Sequence, residues 1–103
     1  MNTVYTNGYY GHKMETKIDL DNSRLVTIST MKRSSGLLVT FASVGTRNGD
    51  FISSIMFQDF TKNLASQKVR VTEKAVRTQH QQALDGIESL LAEIEDFYSK
   101  ETA

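Results

Sequence analysis

At Thr72 the hydrophobic rhythm of this chain changes, and that change limits the folds open to it. Upstream, apolar residues recur at every second position, the period of a strand; downstream they recur about every 3.5 positions, the period of a helix buried along one stripe. Between Thr72 and Tyr98, His80, Ile87 and Ile94 take one heptad position, Val76, Ala83, Leu90 and Phe97 a second, and Leu84, Leu91 and Tyr98 widen the stripe. A stripe of that width suits a helix lying on a sheet better than a coiled-coil seam. Thr72 is placed to cap the helix, and Glu73 sits in the first turn, where the helix dipole favours an acid. His80 faces inward and is expected to be a hydrogen-bonded core residue. The fold class is therefore α+β: a small antiparallel β-meander of four to five strands with one long C-terminal amphipathic helix packed on one face.

The strands follow from alternation and turn residues. Met14 to Leu20 alternates with a charged back. Asp21, Asn22 and Ser23 turn into Arg24 to Lys32, and Ser34, Ser35 and Gly36 turn into Leu37 to Val44. Asn48-Gly49 is a strong hairpin signal leading to Phe51–Phe57, because a tight hairpin turn needs positive φ at both central residues. Gln58 to Ser66 is expected as an irregular connection and Gln67 to Val71 as a brief fifth strand. Residues 1–13, rich in Tyr, Asn and Gly without periodicity, are expected as a flexible N-terminal arm, with 14–103 forming a single α+β domain.

Composition excludes several function classes. The 103 residues contain no cysteine, and the two histidines, His12 and His80, are far apart in sequence, so no metal site, disulfide or cofactor is expected. No apolar run approaches the roughly 20 residues of a membrane span, and the N-terminus has no signal-peptide core; a cytoplasmic protein with no membrane partner is expected. Asp19-Leu20-Asp21-Asn22 begins like a calcium loop, but Arg24 stands where glycine is needed and Thr30 where glutamate is needed. Gly45 to Gly49 lacks the length and the ending of a phosphate loop. With no nucleophile–base pattern either, the chain is expected not to be an enzyme.

Two surfaces remain. Net charge is zero, yet residues 1–77 carry eleven Lys and Arg against six Asp and Glu, and residues 78–103 carry one against six. If the strands alternate in direction through a fifth strand, Arg24, Arg47, Asn48, Arg70, Lys74 and Arg77 gather at one end beside the helix start, as a partner- or anion-binding site. A helix of roughly 40 Å overhangs strands of about 25 Å, leaving Leu90, Leu91, Ile94, Phe97 and Tyr98 for self-association as a homodimer. On the sheet, Val26, Ile28, Leu37, Val39, Phe41, Phe51, Ile55 and Phe57 are expected to seat the helix. Leu25, Met31, Leu38, Val44, Ile52 and Met56, mixed with Thr27, Ser29, Thr40, Ala42 and Ser54, form a half-apolar reverse face open to a partner.

These features point to a non-enzymatic, macromolecule-binding module. Another protein, in particular a host protein complex, is the expected partner. Small cysteine-free domains without catalytic motifs are common among phage and mobile-element proteins that inhibit or regulate host machinery, anti-CRISPR proteins among them. The alternative is a DNA- or RNA-binding module using the basic end; against it, the expected open sheet face has neither aromatics nor cations to meet bases, and the acidic tail repels a polyanion.

Overall fold

The computed structural model describes residues 2–9, 11–20, 24–48 and 51–101. Five strands, β1 Asn2–Gly8, β2 Gly11–Asp19, β3 Arg24–Lys32, β4 Leu38–Asn48 and β5 Phe51–Gln67, pair antiparallel in sequence order as one open meander. Two helices follow, α1 Glu73–Asp85 and α2 Ile87–Glu101. The α+β meander expected from the period change is present. No described helix is long and apolar enough to cross a membrane.

Several expectations need correction. Residues 2–8, taken for an arm, form the edge strand β1, paired with β2 from Asn2↔Lys17 to Gly8↔Gly11. Its central Thr3, Val4, Tyr5 and Thr6 are strand formers, while the flanking Asn2, Asn7 and Gly8 are not, and the segment has no apolar alternation. Gln58 to Ser66 is not a loop but the second half of β5, which runs 17 residues. Phe60 and Leu64 misled because a spacing of four satisfies both strand and helix periods. The separate strand expected over 67–71 is absent: Gln67 ends β5 and residues 68–72 have no regular structure. The turn residues Asp21 to Ser23, Tyr10, and Gly49 of the Asn48-Gly49 hairpin lie outside the described residues; Asn48 and Phe51 pair on either side of that turn.

The helix is two helices rather than one. Thr72 caps α1 as anticipated, its hydroxyl accepting from the Ala75 N–H at 3.1 Å. At Gly86 the N–H donates to the Ala83 carbonyl at 3.2 Å, a tightened turn, before the ladder resumes with the Leu90 N–H on the Gly86 carbonyl. Glycine contributes the least helix propensity of any residue but proline, so the rod divides there.

The sheet faces are also exchanged on β4. Register pairs Val26 with Val44, Ile28 with Ala42 and Thr30 with Thr40, so Leu38, Thr40, Ala42 and Val44 join Val26 and Ile28 beneath the helices. Leu37, Val39 and Phe41 therefore do not seat the helix. Because β4 is apolar on both sides, its own pattern does not select a face, and a slip of one residue exchanges the two. The reverse face is not an open apolar patch, for Leu25, Thr27, Ser29, Val39 and Ser43 are buried there. Side chains of 51–59, where Phe51, Ile52, Ser54, Ile55, Met56 and Phe57 fall, lie outside the description.

Nor does the helical rod overhang. Strands of 9, 11 and 17 residues in β3, β4 and β5 exceed the expected span of about 25 Å, and at about 3.3 Å per residue β4 alone approaches 36 Å. Leu90, Ile94 and Tyr98 are buried in this chain's own core with Val26, Ile28, Ala42 and Val44, and Leu91 and Phe97 pack against that core. The surface expected for self-association is thus spent within one copy.

A chain of hydrogen bonds crosses the sheet–helix interface and reaches every strand. Gln67 Nε2 donates to Gln79 Oε1 at 2.6 Å, and Gln79 Nε2 donates to the Leu38 carbonyl at 3.1 Å and to Thr40 Oγ1 at 3.0 Å. Thr40 then meets Thr30 at 2.7 Å, Thr30 meets His80 Nδ1 at 2.8 Å, His80 Nε2 meets Thr16 at 2.7 Å, and Thr16 meets Thr3 at 2.7 Å. His80, fully buried, is satisfied on both nitrogens. This seam sets where α1 sits on the sheet.

Candidate anion-binding surface

Strand parity decides where the charges go. β3 begins at Arg24, which pairs with Thr46 near the end of β4, and Arg47 and Asn48 pair with Ile55 and Phe51 there. Because β5 then runs unbroken to Gln67, which pairs with Leu38, the chain leaves the sheet at the opposite end and α1 begins there. We call this the proximal end and the Arg24 end distal. The expected cluster is therefore divided. Arg24, Arg47 and Asn48 lie distally, Arg70, Lys74 and Arg77 proximally, because the extra reversal required of a fifth short strand does not exist. Distally the Arg24 guanidinium lies 4.0 Å from the ring centre of Tyr98, near the end of α2; the side chains of Arg47 and Asn48 lie outside the description.

What the fold does assemble is a different basic set. Lys13 near the start of β2, Lys32 at the end of β3, Arg33 in the following turn, Lys68 and Arg70 in the connection, and Lys74 and Arg77 in the first turns of α1 all belong to the proximal end. Arg77 is paired with Glu73 at 2.8 Å and lies over the Tyr5 ring at 4.6 Å. Lys13 reaches Glu15 at 3.4 Å, and Arg33 stacks on Phe41 at 4.7 Å. Lys32, Lys68, Arg70 and Lys74 are exposed and have no ion-pair partner among the described residues. The first turn of α1 adds the positive end of its dipole.

Apart from Glu15 and Glu73, which pair with Lys13 and Arg77, most acids lie elsewhere. α2 carries Glu88, Glu93, Glu95 and Asp96 away from the proximal end, with Lys62–Glu93 at 2.7 Å and Lys100–Asp96 at 3.1 Å as its ion pairs. The molecule is 44 Å along its longest axis, whereas the Debye length at physiological salt is about 8 Å. The acidic helix therefore does not shield the proximal end.

Beside Lys13 and Lys32 the β1–β2 hairpin forms a hollow of about 420 Å³, lined also by Thr6, Gly8, Tyr9, Gly11, His12 and Met31. Tyr9 is 96% exposed. Gly11 holds φ at 91°, a conformation glycine adopts without the Cβ clash of other residues, and so lets the chain reverse tightly behind that ring. The Tyr5 hydroxyl hydrogen-bonds His12 Nδ1. Desolvation and then the Glu73 charge push the Tyr5 phenol above its ordinary pKa, opposed by Arg77, so the phenol keeps its proton.

Lys13, Lys32, Arg33, Lys68 and His12 are not site candidates on sequence alone, whereas Tyr5, Tyr9 and Tyr10 stand out there as rings able to stack on bases or dock on a partner. Lys32-Arg33 is recoverable as the flank of the Ser34–Gly36 turn once strand directions are right; His12 and Lys13 are hidden by reading residues 1–13 as an arm. Among the described residues there is no group of three or more potential metal ligands. No protein-family model matches the chain, and neither does any curated protein or solved structure.

Proposed function

We propose that this chain is a non-enzymatic module that docks on an anionic macromolecular surface with its proximal end. The supporting observation is the gathering of Lys32, Lys68, Arg70 and Lys74, exposed and without ion-pair partners among the described residues, opposite an acidic α2. Unpaired surface cations accelerate encounter with an acidic partner and disfavour basic ones. In the form drawn from the sequence, the partner is an acidic patch of another protein. The module then acts by covering it, as a small inhibitor or regulator of phage type does.

The test is a lysate pull-down with and without nuclease, repeated with a Lys68→Ala, Arg70→Ala, Lys74→Ala triple variant. Loss of the captured partner in the triple variant, with association slowed more than dissociation is hastened, is the expected result. Equal capture by the variant would remove the proximal end from the reading.

A further inference from the structure

The proximal end combines two things that a purely electrostatic contact with a protein does not call for: a fully presented aromatic ring and a small hollow next to cations. Tyr9 is 96% exposed, which leaves ring surface within reach of a planar ligand. It stands at a hollow of about 420 Å³ whose lining includes Gly8, Gly11 and Met31 as well as His12, Lys13 and Lys32. That volume falls among small-ligand sites, roughly 300–1,000 Å³. At the glycines the lining itself is slight: among the described residues, a Cβ built on Gly8 or Gly11 meets nothing within 4 Å.

A nucleic-acid single strand presents planar bases alternating with phosphates, and proteins hold such strands by stacking bases on aromatics while cations track the backbone. In a duplex the bases are stacked internally and reach a pocket only when extruded. Resting on the docking surface assigned in the preceding subsection, we propose that the hairpin hollow takes one unstacked base of a single-stranded nucleic acid against Tyr9, with Lys13 and Lys32 on the neighbouring phosphates. Arg70 and Lys74 lie at the same end of the fold. His12, hydrogen-bonded to Tyr5 through Nδ1, also lines the hollow. The acidic α2 lies toward the distal end, outside the path of the strand.

The probe is a fluorescein-labelled oligothymidylate, with a duplex of equal length for comparison, read by anisotropy over a salt series. The intact protein is expected to bind the single strand more tightly than the duplex. Tyr9→Ala is expected to weaken single-strand binding about 5- to 150-fold, the range of one lost base stack, while Tyr9→Phe, which keeps the ring face, binds normally. Lys13→Ala and Lys32→Ala are each expected to reduce the salt slope by about 0.7, the value for one phosphate on a single strand. Circular dichroism serves to show that these surface variants remain folded. If the Lys68, Arg70, Lys74 triple variant loses the oligonucleotide while Tyr9→Ala does not, the hollow is excluded and the basic-end docking reading stands. If the triple variant and Tyr9→Ala both bind as the intact protein does, both readings fall. Absence of any oligonucleotide binding by the intact protein overturns the single-strand assignment, and the pull-down then decides the docking reading alone.

Discussion

At the residue scale the hydrogen-bond directions within the buried seam can be worked out from one carbonyl. The Leu38 oxygen only accepts, so the Gln79 amide nitrogen must face it, and the same nitrogen donates to Thr40. Thr40 therefore gives its proton to Thr30, Thr30 gives its own to His80 Nδ1, Nε2–H donates to Thr16, and Thr16 donates to Thr3. Each buried link of the seam then has one donor and one acceptor, and His80 is neutral with its hydrogen on Nε2. Protonating Nδ1 would make Thr30 accept from both sides and strand its hydroxyl proton in the core, which adds to the desolvation that holds the His80 pKa below its ordinary value of 6.5. The unfolded chain takes up that proton near pH 6.5 and the folded chain does not, so stability contributed by His80 is complete above that pH and is lost as pH falls toward the folded pKa. We expect urea midpoints to drop across that interval, with a slope of up to about 1.4 kcal/mol per pH unit. His80→Gln should be less stable at neutral pH but lack this component of the slope. An unchanged slope in His80→Gln would place the titration elsewhere.

At the scale of the elements, what was legible in the sequence depended on whether the pattern had one interpretation. The start of α1 did, because a capping threonine, an acid in the first turn and a new period coincide at Thr72 and Glu73. The inward face of the helices did as well, since Val76, His80, Leu90, Ile94 and Tyr98 are all buried. β4 did not: with apolar residues on both sides, its face is selected by pairing with β3, which is not a local property. β5 is divided in the sequence reading because extra residues on β5 itself, opposite Thr40–Phe41 and around Gly45, blur the alternation that marks a long strand. The edge strand β1 was missed because it is held by backbone pairing and by Thr3 and Tyr5 bonds rather than by burial. These misreadings propagated to the candidate site, where one strand too many put the wrong cations together. The break at Gly86 is the element feature most open to manipulation. Its φ of −101° is accessible to any residue, and an added Cβ would meet only the Ala83 carbonyl at 3.8 Å. Gly86→Ala is therefore expected to raise stability by about 0.5–1 kcal/mol through helix propensity. A lower thermal midpoint for this variant would show that α1 and α2 need the interruption to stay seated on the sheet.

At the scale of the whole molecule, the meander and the paired helices sort charge by position. Formal charge cancels, and the isoelectric point of about 6.7 lies near neutrality, yet cations predominate proximally and α2 carries its acids away from them. A body with no net charge lacks the mutual repulsion that keeps many proteins apart in dilute buffer. We expect light scattering to rise as salt is lowered, with copies meeting acidic end to basic end, and to fall again near physiological ionic strength, where screening is strong. The Lys68, Arg70, Lys74 triple variant should remain dispersed at low salt. Association that persists at high salt would instead indicate an apolar interface, which the burial of Leu90, Ile94 and Tyr98 argues against. The same separation of poles has a consequence for how such a molecule finds its target. A neutral dipole some distance from a polyanion feels mainly a torque rather than a net pull. It rotates first and is drawn in afterwards, so that random collisions become encounters that lead with the lysines.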